Sequence, residues 1–279
     1  MRRLTLTIGL LLAVATGNDA LAQQFSVFTE VTEPPLDSAP GEKPRVVARS
    51  LTLFHAGKVF DYMPPPIGEL SVFEPAHRRF ILLNGRRMIA TTVTFEEIER
   101  MLETAKNETR NYTQQLARRN EPGSQAIIEP LNFTLNPQFS KQFDPVQKQL
   151  KLSSPRFSYS VECATPKSQE ASTAYLNYAD WAARLNYVLH PNSLFPAPRL
   201  ILNESLKSRG LLPVNVALNV EFDSLVQRTA GHRFVWELGK DERHHINYWQ
   251  SLQRRENLKW MNFRNYQRAV LKPQIQAAR

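Results

Sequence analysis

The residues best suited to chemistry are few. His244 and His245 adjoin, His232 precedes them, Cys163 is the single thiol, and Asp61, Glu69 and Glu74 crowd one short stretch. Imidazole is a common metal ligand, but adjacent helical residues point about 100° apart and rarely ligate one ion together. His232 on a preceding strand could approach one of the pair. Neither a His-x-x-x-His pair nor a Cys/His zinc spacing is present to support a metal site. Cys163 continues an apolar alternation with Phe157, Tyr159 and Val161, the setting of an inert core thiol rather than a nucleophile. The chain has no Gly-x-Ser-x-Gly elbow, P-loop or dinucleotide fingerprint. Carboxylates on neighbouring strands meet routinely without catalysis. The expectation is a protein that acts by binding, without metal or cofactor; an enzyme with a dispersed site stays open as a further alternative.

Two groups of residues could bind. Leu53, Val59, Phe73, Phe80, Tyr159, Trp181 and Trp236 are the candidate lining of an apolar trough, and their periodicity is equally that of ordinary core. Residues 240–279 hold nine Lys or Arg against three Asp or Glu, interspersed with aromatic rings. Here Arg254, Arg255, Lys259, Trp260, Arg264 and Arg268 are candidates for contact with an anionic surface, with cations on phosphate and rings at headgroup level. The same composition suits nucleic acid, but export makes the envelope the expected partner and nucleic acid is not expected. The alternative is a docked helix with a solvated basic face.

The export reading comes from the first residues. Arg2 and Arg3 precede an apolar run from Leu4 to Ala15, and Ala20-Leu21-Ala22 has the small-x-small pattern of a cleavage site. The run is too short for a membrane span, which needs roughly 20 apolar residues. Cleavage after Ala22 would leave 257 residues with net charge +8, against +9 for the whole chain, in the periplasm or cell envelope. One cysteine forms no intrachain disulfide, so the fold must rest on its core.

Around these residues the chain reads as strands, helices and strands again. A short strand at 25–31 leads into a linker at 33–44, rich in Pro and charge. A meander follows at 45–55, 58–63, 68–74, 78–84 and 86–93, broken at Ala56-Gly57, Met63 to Pro66, Pro75-Ala76 and Asn84-Gly85. Asn-Gly is the strongest hairpin signal, predicting a type I′ turn at that point. Thr94 and Glu97 make a capping box, with Val93 and Ile98 as its staple, for a helix over 94–118. Strands are expected at 126–135, 145–152 and 156–164. A helix capped by Thr165-Pro166 follows to 189, its Ala174, Tyr178, Trp181, Leu185 and Val188 on one face. A short helix at 197–208 should end at Gly210. Strands at 214–222 and 233–238 form a last hairpin, and 240–272 is mostly helical. Asn-x-Ser/Thr triplets start at Asn107, Asn111, Asn132 and Asn203; a bacterial envelope protein would leave them unmodified.

Short connections force antiparallel pairing, because a parallel pair needs a crossover of a dozen or more residues. Ten or so such strands curl or close. The expected fold is α+β: a curled antiparallel sheet, a partly open β-barrel, covered by two or three helices, with a basic helical C-terminal extension. Its divisions are a signal peptide at 1–22, strand and linker at 23–44, a half-barrel at 45–239 and the tail at 240–279.

In element order over 45–238, with "LFHAGKVFDYM", "GELSVFEP" and "RRFILLNGRRM" as its meander, the chain resembles the periplasmic lipoprotein-carrier superfamily, the LolA and LolB-like fold. The resemblance implies an unclosed barrel with helices as a lid, whose apolar interior holds acyl chains. The basic extension departs from that pattern. Three readings follow: an exported carrier or sensor for a lipid or acylated ligand, an envelope structural or interaction protein with a filled core, and an unrecognised hydrolase.

Overall fold

The computed structural model describes residues 24–35, 43–119, 121–190, 193–222 and 225–271. The expected signal peptide, most of the linker and the last eight residues lie outside them. Six strands come first: β1 (Phe25–Glu33), β2 (Arg45–His55), β3 (Lys58–Met63), β4 (Glu69–Glu74), β5 (Arg79–Asn84) and β6 (Ile89–Thr94). Helices α1 (Phe95–Arg119) and α2 (Ser124–Leu135) precede β7 (Ser140–Asp144), β8 (Gln149–Ser153) and β9 (Phe157–Ala164). Helices α3 (Gln169–Leu189) and α4 (Ala197–Lys207) lead to β10 (Leu212–Glu221) and β11 (Leu225–Val235), and the chain ends with α5 (Lys240–Leu252), β12 (Lys259–Trp260) and α6 (Phe263–Leu271).

These elements make a mixed α+β fold around one 12-stranded sheet, in the order β12-β6-β5-β4-β3-β2-β1-β11-β10-β9-β8-β7. The sheet is open: β12 and β7 are its edges. The chain enters at the centre with β1 and meanders to β6. Helices α1 and α2 carry it to the far edge, and a second run of strands returns to β11, which pairs with β1. Every pairing is antiparallel except β12 on β6.

Local chemistry explains most of the boundaries. Thr94 and Glu97 exchange the two hydrogen bonds of the capping box, at 2.8 and 3.2 Å, and Val93 and Ile98 are fully buried beside it. The type I′ turn forms at Ala56-Gly57, both residues at positive φ between the paired His55 and Lys58. At Asn84-Gly85 the expected two-residue turn gives way to a four-residue loop. There the Asn84 side chain accepts from the Arg87 amide at 3.0 Å and Met88 is the left-handed residue. The α3 cap is Ser168, accepting from the Ala171 amide at 3.2 Å, rather than Thr165. The expected strand at 126–135 is instead α2, Pro130 included; its apolar residues pack on an aromatic group, with Phe133 5.6 Å from Phe157. Strand β7 was not expected.

The sheet has two apolar faces over β2–β6. On one, Phe54, Val59, Phe73, Phe80 and Val93 join a core with α1 and α3. On the other, Leu53, Phe60, Val72 and Ile81 are covered by Ile246, Trp249 and Leu252 of α5. From α5 the chain rounds the β6 edge as β12 and places α6 on the first face, where Tyr266 is fully buried. The Arg87 guanidinium donates to the Ala269 carbonyl and Gln267 Nε2 to the Val188 carbonyl at 2.6 Å. The basic segment is thus a clamp over one sheet edge, with buried residues in both clusters. No helix among the described residues is long and apolar enough to cross a membrane.

Candidate functional site

Pairing register brings polar residues onto the face beneath α3. Thr29 lies opposite both His232 and Ser50, and Asp61 lies opposite both Thr52 and Ser71. The Thr52 hydroxyl donates to Asp61 Oδ1 at 2.7 Å, and Ser50 and Tyr178 also hydrogen-bond the Asp61 carboxyl. Burial pushes that carboxyl above the usual range, against those three bonds. Tyr178 is pushed well up by burial and by Asp61, and its ring sits edge-on to Phe54 at 6.0 Å. His232 Nδ1 lies 3.0 Å from Thr29 Oγ1. Burial, helped by the Arg199 charge, lowers that imidazole to about 3, so it is neutral at pH 7.

These groups form one wall of a cavity of about 720 Å³ between the sheet, α3 and α4. The other walls are largely apolar: Phe157 and Tyr159 on β9, and Val216, Leu218 and Val220 on β10. The space exists because α3 changes character along its length. Its first half presents Tyr175 and Tyr178, which fill; its second presents Ala179, Ala182 and Ala183, which do not. Buried Tyr159 and Tyr175 are each pushed up to about 12 by desolvation, which keeps both phenols protonated.

Arg199, in the first turn of α4, lines the cavity. Its Nε donates to Asn203 Oδ1 at 3.1 Å, and Asn203 Nδ2 donates to Asp180 Oδ1 at 2.8 Å. Asn203 is fully buried, so this triplet is a structural relay. Arg228 also lines the cavity, with its Nε 2.8 Å from Glu33 Oε1.

Of the seven expected trough residues, Tyr159 alone lines this cavity. Leu53 cannot, because alternation sends it to the α5 face, opposite Val59. Val59, Phe73 and Phe80 are buried in filled core, with Phe73 5.6 Å from Phe95. Trp181 stacks on Phe95 at 3.7 Å, and Trp236 packs 5.5 Å from Phe25. Asp61 and His232 stand out in the sequence as candidates for carboxylate and metal chemistry, not as cavity lining; the signal for the latter is a polar group at an apolar position of an alternation, Asp61 in phase with Val59 and His232 in phase with Ala230 and Phe234.

Arg254, Arg255, Lys259, Trp260, Arg264 and Arg268 are all exposed. Arg254 and Trp260 share a shallow groove with Lys58. His232 lies on the opposite face of the sheet from α5, so His244 and His245 do not meet it; no cluster of metal-ligating side chains occurs among the described residues. Cys163 is buried and its thiol is pushed up to about 11 by desolvation. No protein-family model matches the chain, and no curated protein shows significant similarity to it.

Proposed function

We propose that this chain is an exported, non-catalytic binding protein that holds a lipid or similar amphipathic molecule in the cavity under α3 and α4. The observation that carries this reading is the cavity itself: about 720 Å³, with apolar walls and one polar side. Both size and lining are those of small-molecule sites. A core built only for stability closes such a space, because interiors pack to crystal-like density and each void forfeits contacts. The open, almost wholly antiparallel sheet, with α3 and α4 over the face that lines the cavity, is consistent with the lipoprotein-carrier half-barrel, those two helices serving as the lid. The exposed cations of the C-terminal segment make no ion pair among the described residues, which suits a second role in meeting an anionic envelope surface.

Native mass spectrometry of residues 23–279 from an exporting host, with organic extraction of the same sample, tests the reading. The expected result is a retained apolar ligand that solvent releases and that Ala182→Trp, filling the cavity, abolishes without unfolding the protein. A clean apo mass, under conditions that keep a known lipid carrier loaded, would overturn it in favour of a filled envelope scaffold.

A further inference from the structure

The cavity's polar groups divide into a satisfied side and an unsatisfied one. Asp61 already receives hydrogen bonds from Thr52, Ser50 and Tyr178, so its oxygens have little left to offer a ligand. Three buried side-chain atoms among the described residues lack a partner: His55 Nδ1, Ser172 Oγ and His232 Nε2. Only His232 lines the cavity. It is 9 % exposed, and a buried orphan of this kind costs free energy until something binds it. When Thr29 donates to Nδ1, Nε2 carries the proton and is a buried donor without a partner in the cavity wall.

Two more donors converge there. Arg199 spends Nε on Asn203 and pairs with no carboxylate among the described residues; its charge reaches His232, Tyr159 and Tyr175. It stands in the first turn of α4, an 11-residue helix whose N-cap is Pro196, with no side-chain capping bond. Pro196, Pro198 and Arg199 all line the cavity. Pro196 and Pro198 carry no N–H, so this uncapped start offers the Ala197 and Arg199 amides and the positive end of the helix dipole.

We propose that the cavity recognises the anionic head of its amphiphile between Arg199, His232 Nε2 and the α4 N-terminus, with the apolar body against β9 and β10. The inference rests on the lipid-binding reading and adds a ligand class: acids of the fatty-acid kind rather than neutral or cationic amphiphiles. Asp61 does not oppose it. Three strand spacings, roughly 14 Å, separate β3 from β11, and Asp61 is held by its own donors. Asn203, locked to Asp180, fixes the Arg199 side chain so that its remaining N–H groups can meet a carboxylate side-on.

The test is calorimetric titration of the delipidated full mature chain at pH 7 with decanoate, decanol and decyltrimethylammonium. Decanoate should bind at least about tenfold more tightly than decanol, the scale of a charge-assisted hydrogen bond. Arg199→Gln and His232→Phe should each remove most of that preference, and Arg199→Lys should keep part of it. Decanol affinity should fall far less than decanoate affinity in all three, and unchanged hydrogen-exchange protection of α3 and α4 reports that the cavity is intact. Equal affinity for all three ligands, or preference for the cation, would overturn the anion site while leaving the cavity reading in place. Failure of every ligand to bind would overturn both.

Discussion

The Tyr266 hydroxyl donates to Glu69 Oε2 at 3.0 Å in the protein interior. One partner lies on α6, near the chain's end, and the other on β4, in the first meander. Burial, opposed by this bond and reinforced by the nearby Asp61, raises the Glu69 carboxyl to about 7. The edge clamp therefore closes on a carboxyl group that the fold prefers protonated. Because the folded value exceeds the unfolded one near 4.5, Glu69 contributes most below pH 4.5, and that contribution is lost as pH rises towards 7. Glu69→Gln, which keeps an acceptor for Tyr266, should match the parent at pH 4.5 and exceed it by up to about 3 kcal/mol at pH 8. Urea denaturation of both proteins across that range checks it; a constant difference would show that Glu69 does not titrate in the fold.

His232 works in the opposite direction. Its folded value of about 3 lies below the ordinary 6.5, so the unfolded chain binds its proton first. The stability this neutral imidazole confers is present above pH 6.5 and lost as pH falls towards 3. His232→Gln should flatten the acid limb of the stability profile. Arg199→Gln should move the acid-unfolding midpoint down, because removing that cation lets the imidazole charge more easily within the fold. An unchanged midpoint in both variants would remove His232 as a determinant of acid stability.

The Thr94 cap offers a local comparison. Its hydroxyl and the Glu97 carboxylate satisfy two amide groups at the start of the 25-residue α1. Thr94→Ala should cost about 1 kcal/mol, measured by thermal or urea unfolding. A cost near zero would mean that packing of Phe95 and Ile98 alone sets the helix start.

These cases show where the sequence was legible. Capping chemistry is local, so Thr94 and Glu97 could be read from four residues. So could the ends of β2 and β3, which the Ala56-Gly57 break marks directly. Face assignment is not local. Leu53 and Val59 look alike as apolar strand residues, and only the pairing of Leu53 with Phe60 and of Phe54 with Val59 reveals that they point to opposite sides. A sheet covered on both faces by helices removes the contrast between apolar inside and polar outside that alternation relies on. The cavity was hidden for a related reason: it is made by what is missing, the alanines at 179, 182 and 183, and by residues that register brings together from β11, β1 and β2. The strand expected at 126–135 failed because a mixed apolar run of that length suits either structure until its packing partners decide.

Trp249 tests whether the C-terminal segment is structural. It is 3 % exposed, stacks 6.2 Å from Phe60 and lies 5.4 Å from Tyr62, on the face that Leu53 helps to build. Trp249→Ala should cost about 3–5 kcal/mol, while Trp249→Phe should retain much of the lost stability. Loss of α5 protection in hydrogen exchange without global destabilisation would instead mark the segment as a detachable arm.

The exposed cations allow the surface role to be separated from the structural one. Arg254, Arg255 and Lys259 are exposed, beside the equally exposed Trp260. Replacing all three by Gln should leave unfolding free energy within about 0.5 kcal/mol of the parent, as for surface changes without buried partners. Cations near an anionic bilayer contribute about 1 kcal/mol each, so sedimentation with vesicles containing anionic phospholipid should weaken by roughly two orders of magnitude. Salt should weaken the parent in the same way, because screening acts on the same charges. If the triple variant sediments as well as the parent, the segment's charges serve only to solvate a docked helix. The membrane role would then have to be abandoned, while the cavity and its acid-binding test would stand untouched.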